Sequence, residues 1–125
     1  MDRVEQVLTS ILEDLPGASM AAMLGTDGVG VQIALGDAWR EADPEVAEVE
    51  LAALAVAVQK AARRLGGGMS QDFFLSTAQS NFLGIMLDPS YFLVLGLDPT
   101  GDLDRAREAL AQARVELEDL DMPSA

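Results

Sequence analysis

Apolar residues recur along this chain with two alternating periods, and the changes between them mark out helices and strands. Val4, Val7, Leu8, Ile11, Leu12 and Leu15 fall at helical spacing, predicting a first helix from about Asp2 to Leu15 with a single apolar stripe. Asp2 can cap its start, with Glu5 three residues on in a variant of the capping box, and Pro16-Gly17 ends it. Two strands follow. One runs from about Ser19 to Leu24, and in the other Val29, Val31, Ile33 and Leu35 alternate with Gly30, Gln32 and Ala34. Thr26-Asp27-Gly28 lies between them and signals a hairpin, because Asp and Gly both tolerate positive φ. A metal or phosphate contact by Asp27 would need further ligands that its neighbourhood does not supply.

The second helix departs from that regularity. Asp43 can cap it, Pro44 suits its first position, and Gly66-Gly67-Gly68 stops it after Arg63 and Arg64. Leu51 to Val58 is apolar without interruption. One stripe runs through Ala47, Leu51, Leu54, Val58, Ala61 or Ala62, and Leu65, and a second through Val46, Val49, Ala53, Val56 and Ala57. A helix lying on one sheet needs one such face, whereas a helix apolar on most sides must be covered on several. In so small a protein the second cover is expected to be another copy of the chain.

The last third predicts three strands and a helix. The strands run roughly from Asp72 to Ala78, Phe82 to Leu87 and Tyr91 to Leu97, with turns at Ser80-Asn81 and Asp88-Pro89-Ser90. The last two are nearly continuous in apolar residues, as expected of central strands covered on both faces. Thr100 or Asp102 caps a final helix reaching about Leu120, with Leu103, Ala106, Leu110, Ala113 and Leu117 inward. The order is αββαβββα. The expected fold class is α/β (α+β): a five-stranded antiparallel sheet in a three-layer αβα sandwich, the second helix on one face and the terminal helices on the other. Residues 1–121 are expected to form one domain, followed by a short tail, 122–125.

Composition narrows the chemistry. The 125 residues are half hydrophobic, and the net charge is −13 with no basic stripe, which disfavours nucleic acid and anionic membrane surfaces. Cysteine and histidine are absent, removing disulfides, thiolate chemistry, the usual zinc sites and nucleophile–histidine pairs. No catalytic, cofactor-binding or metal-ligating set is expected. Gly66-Gly67-Gly68-Met69-Ser70 follows a helix and lacks the Lys-Ser/Thr of a phosphate loop. No apolar run approaches the roughly 18 residues of a membrane span, and no signal peptide is visible, so a cytoplasmic protein is expected.

The chain resembles the roadblock (dynein light-chain) family, in its bacterial MglB-like branch. The resemblance spans almost the whole chain. It rests on the element order, Asp27-Gly28 in the first hairpin, the alanine-rich second helix, and Leu97-Asp98-Pro99 leading into Asp102-Leu103-Asp104 and Arg107. Family members often carry Asn-Leu-Gly where this chain has Asp102-Leu103-Asp104. The resemblance implies a roadblock/profilin-like fold and a homodimer, or a heterodimer with another roadblock protein, in which second helices pack together and third strands pair. It also implies a non-catalytic role beside a small Ras-like GTPase, as regulator or scaffold.

On the second helix, Ala53, Ala57 and Ala61 lie close to one face, and small side chains permit close helix approach. Glu50 and Arg64 stand seven residues either side of Ala57, so antiparallel crossing there would bring Glu50 of one copy opposite Arg64 of another. Leu54, Phe73 and Phe74 complete the expected dimer interface, with one phenylalanine expected in the core and the other on the dimer or solvent side. Glu48, Gln59 and Arg63 are candidate partner contacts on the outer helix face. Trp39 is either a lid over the sheet edge or an anchor in a partner's pocket. Arg63 and Arg64 as arginine fingers are less economical than helix termination with an interface ion pair. Besides GTPase regulation, a structural adaptor joining another roadblock subunit without affecting GTP turnover is the main alternative. A small-molecule sensor ranks below both, for want of converging polar residues.

Overall fold

The computed structural model describes residues 2–39 and 42–118. Its elements are α1 (Arg3–Asp14), β1 (Ala18–Gly25), β2 (Gly30–Leu35), a 3-10 turn (Asp37–Trp39), α2 (Pro44–Arg64), β3 (Asp72–Ser76), β4 (Asn81–Met86), β5 (Tyr91–Leu97) and α3 (Leu103–Leu117). This is the expected αββαβββα order. The last residues of the expected final helix, and the tail 122–125, lie outside the described residues.

Short-range chemistry sets the element ends. Asp2 Oδ1 accepts from the Glu5 N–H at 2.8 Å, and Asp43 Oδ1 from the Glu45 N–H at 2.9 Å. Of the two residues expected to cap α3, Asp102 does so, accepting from the Asp104 and Arg105 N–H groups. Asp27 Oδ1 accepts from the Val29 N–H at 3.0 Å and Gly28 takes φ +90°, so Asp27 builds the hairpin turn.

The sheet order is β2-β1-β5-β4-β3, with every pairing antiparallel. The β1–β2 hairpin and the β3–β4–β5 meander join through β1 and β5, which leaves β2 and β3 as edges. α2 carries the chain between those edges. It packs on one face of the sheet through Ala47, Leu51, Ala52 and Ala55.

Alternation along the central strands divides the core in two. Ala21, Met23, Leu93 and Leu95 pack with α1 and α3, while Met20, Ala22, Phe92 and Val94 pack with α2. Every residue of β5 is buried, as its unbroken apolar run predicts. Of the two apolar stripes on α2, neither is buried as a whole. The buried residues of the helix are Ala47, Leu51, Ala52, Ala55 and Gln59, while Leu54 and Val58 are half-buried and Ala61 is exposed. Leu65 is 86% exposed. Periodicity cannot choose a face within an uninterrupted apolar run, and here the small Ala52 and Ala55 take the sheet side.

A candidate docking face on the second helix and third strand

At 100° per residue, Val46, Glu50, Ala53, Ala57, Ala61 and Arg64 fall within a sector of about 80° on α2. All six are exposed. This flank faces the β3 side of the molecule, because Val46, Glu50, Ala53 and Leu54 line one groove with Leu75 of β3 and Phe82 of β4. Val49, Val56 and Arg63 lie on the opposite outward flank. The expected second apolar stripe is therefore uncovered along its length, divided between two sides of the helix.

β3 is an edge strand of the sheet, and its Leu75 lines the same groove as Ala53 and Leu54 of α2. The Met86 N–H bonds the Gln71 carbonyl and the Thr77 N–H bonds the Ser80 carbonyl, at 3.0 and 2.9 Å. In an antiparallel ladder alternate residues bond to the neighbouring strand, so Phe73 and Leu75 face β4 with their backbone groups. Asp72, Phe74 and Ser76 turn theirs outward. A strand edge with unpaired N–H and C=O groups is a template for another strand.

The two phenylalanines separate as expected of neighbours on a strand. Phe73 joins the α2-side core, edge-on to Phe92 with ring centroids 5.9 Å apart. Phe74 points to the other face and is 41% exposed. Assigning the Phe73 side chain to a dimer interface is therefore a correction: it is enclosed by its own subunit. Arg107 on α3 donates to Asp72 at 2.8 Å, tying the start of this edge to the helix above it.

Other candidates do not converge. Gln59 is buried against the sheet with its amide directed at the Met86 sulfur, 3.8 Å away, so it is not on the outer face where the sequence reading put it. Glu48 is half-buried on the β2 side, where its carboxylate fills the space over Gly30. Arg63 is exposed elsewhere on the helix. The Trp39 ring stands edge-on to Phe82 at 6.3 Å and its Nε1 donates to Ser19 Oγ at 3.4 Å, so it lies over central strands and not a sheet edge. Its other face lines the groove beside α2. Sequence reasoning missed this groove, since Trp39, Leu54, Leu75 and Phe82 come from four separate segments. Among the described residues, no group of three or more acidic, cysteine or histidine side chains could hold a metal ion, and no helix is long and apolar enough to cross a membrane.

No protein-family model matches the sequence, and no curated protein matches it. Solved structures do. MglB of Myxococcus xanthus superposes with a TM-score of 0.85 at 18% identity, over 94% of each chain. An MglB with a tetrameric arrangement gives 0.82 at 20% identity, over 93% of this chain and 85% of that one. A roadblock/LC7 domain from Streptomyces avermitilis gives 0.80 at 13% identity, over 90% and 92%. Across nearly its whole length, this chain has the roadblock/LC7 fold in the form that MglB also takes.

Proposed function

We propose that the chain is a roadblock-type regulator. Two copies pair through the small-residue flank of α2 and the free edge of β3, and the pair is a non-catalytic platform for a small Ras-like GTPase. One observation carries the reading: the α2 flank holding Ala53, Ala57 and Ala61 is uncovered, its Ala53 shares a groove with Leu75 of β3, and β3 is a free sheet edge. The family resemblance implies this class of partner, and the fold shared with MglB supports the reading. Residues 1–121 would act as one domain, in the cytoplasm.

The platform performs no chemical step. It modulates the nucleotide cycle by binding one conformation of the GTPase switch segments better than the other. A tenfold preference, about 1.4 kcal/mol, suffices for a measurable change in turnover or exchange. Arg63, exposed on the far flank of α2, stays available in the paired state and is the remaining helix candidate for the GTPase contact. The test mixes the protein with its cognate GTPase, loaded in turn with GDP and with a non-hydrolysable GTP analogue. A complex preferring one nucleotide, or an altered rate of hydrolysis or exchange, supports the proposal. Absence of both in both states overturns it.

A further inference from the structure

Leu65 and the Trp39 groove are two uncovered apolar features at opposite ends of α2. Leu65 is the most exposed of the large hydrophobic residues described, yet it does not sit on a frayed end. The Gly66 N–H bonds the Arg63 carbonyl, the Gly67 N–H bonds the Ala62 carbonyl, and Gly66 takes φ +78°. That is a Schellman motif, and it holds the last turn of α2 in place with Leu65 projecting from it. At the other end of the helix lies an apolar groove of ≈ 540 Å³ between Trp39, Leu54, Leu75 and Phe82, with Glu50 as its charged residue.

A single two-fold axis can serve both the strand edge and the helix flank. Leu54 shares the groove with Leu75, and Gln59 reaches Met86, whose N–H bonds Gln71. The stretch of α2 above Phe73 and Phe74 therefore lies between Leu54 and Gln59, and it contains Ala57. Pairing Phe74 with Phe74 of a second copy keeps all of β3 in register, sets Asp72 against Ser76 and opposes no like charges. An axis of that pairing, normal to the sheet, would run between the two copies of Ala57. Residues equidistant from Ala57 then face each other: Ala61 meets Ala53, Arg64 meets Glu50, and Leu65 arrives at the end of the helix that borders the groove. By helical rotation Leu65 leans towards the sheet and the β3 side, the direction in which the groove opens.

Resting on the two-copy reading above, we propose that Leu65 of each copy seats in the Trp39 groove of the other, beside an Arg64–Glu50 ion pair. The occupant of the groove is thus a second copy of this chain. The groove and the exposed leucine are both apolar, and the residues beside them, Glu50 and Arg64, are opposite in charge.

The chain has no cysteine, so engineered thiols report proximity cleanly. Full-length L65C is mixed with full-length E50C under mild oxidation, and A57C is oxidised by itself. Disulfide-linked dimers in both reactions support the proposal. Linkage of A57C without linkage of the L65C–E50C mixture overturns the leucine insertion and leaves the paired helices standing. Linkage in neither overturns both. The second readout is emission from Trp39, the chain's one tryptophan. Leu65→Ser, altering an exposed side chain, is expected to weaken self-association roughly a hundredfold, two buried leucines being lost per dimer. Its Trp39 emission should then keep the dissociated wavelength at concentrations where the parent has shifted to the blue. Unchanged association and an unchanged blue shift in that variant would equally overturn the insertion.

Discussion

Gly84 lacks a side chain because Phe73 occupies the space one would need. A Cβ on that glycine would overlap the Phe73 ring, which is itself held between β4 and Phe92. The constraint comes from packing and not from backbone conformation, since Gly84 is not among the positive-φ glycines. Gly84→Ala should therefore push the ring off Phe92 and cost about 1–3 kcal/mol, the range for overpacking a filled core. Urea denaturation measures this; a loss below about 0.5 kcal/mol would mean the ring relocates freely. Nothing in the local pattern marks Gly84, because its partner is eleven positions away and meets it only across the β3–β4 pair. Gln59 misled for a related reason. A polar residue on an apolar helix reads as a surface position, but its amide is turned under the helix to a methionine sulfur.

At the scale of elements, most boundaries were legible because they depend on neighbours within a turn. Asp2, Asp43 and Asp102 each accept the N–H bonds that their positions ahead of a helical pattern predict. β3 ends at Ser76, short of the expected Ala78, because the Thr77 side chain and backbone close the hairpin onto Ser80. What the edge of β3 meets is a different matter. Phe74 is the large apolar residue of β3 whose backbone groups turn outward and whose side chain is exposed, so a charge there acts as a gatekeeper against strand pairing. Phe74→Lys is expected to abolish self-association in sedimentation velocity. It should also leave the thermal unfolding of the single chain within about 1 kcal/mol of the parent, as for other exposed positions. Retained dimers would remove β3 from the interface.

For the whole molecule, charge sets the conditions under which copies meet. Each carries −13, so two approaching copies repel over the full Debye length. That length shrinks from about 30 Å at 0.01 M salt to about 8 Å at 0.15 M. The exposed Glu50–Arg64 pairs contribute little against it, whereas the apolar contacts at Ala57 and Leu65 are insensitive to screening. Self-association should thus tighten several-fold as salt rises through this range, as measured by sedimentation equilibrium. A dissociation constant that instead rises with salt would mean that ion pairs, and not the alanine flank, hold the copies together. The same field favours a partner that presents a basic surface.

Periodicity, caps and turn residues by themselves determined the order of elements, the antiparallel character of the sheet and the excess of apolar surface on α2. Those features depend on interactions spanning a few residues, which a linear pattern records. Only the tertiary structure decided which strands became edges, which side of α2 met the sheet and where its uncovered flank looked. β1 closes against β5 across some seventy residues of chain, and that closure leaves β3 a free edge whose Leu75 shares a groove with Ala53 of α2. The Trp39 groove arises in the same way, since its walls come from segments that meet only once α2 has crossed the sheet. An apolar run states how much surface must be hidden; the direction in which it is hidden depends on contacts between residues far apart in the chain.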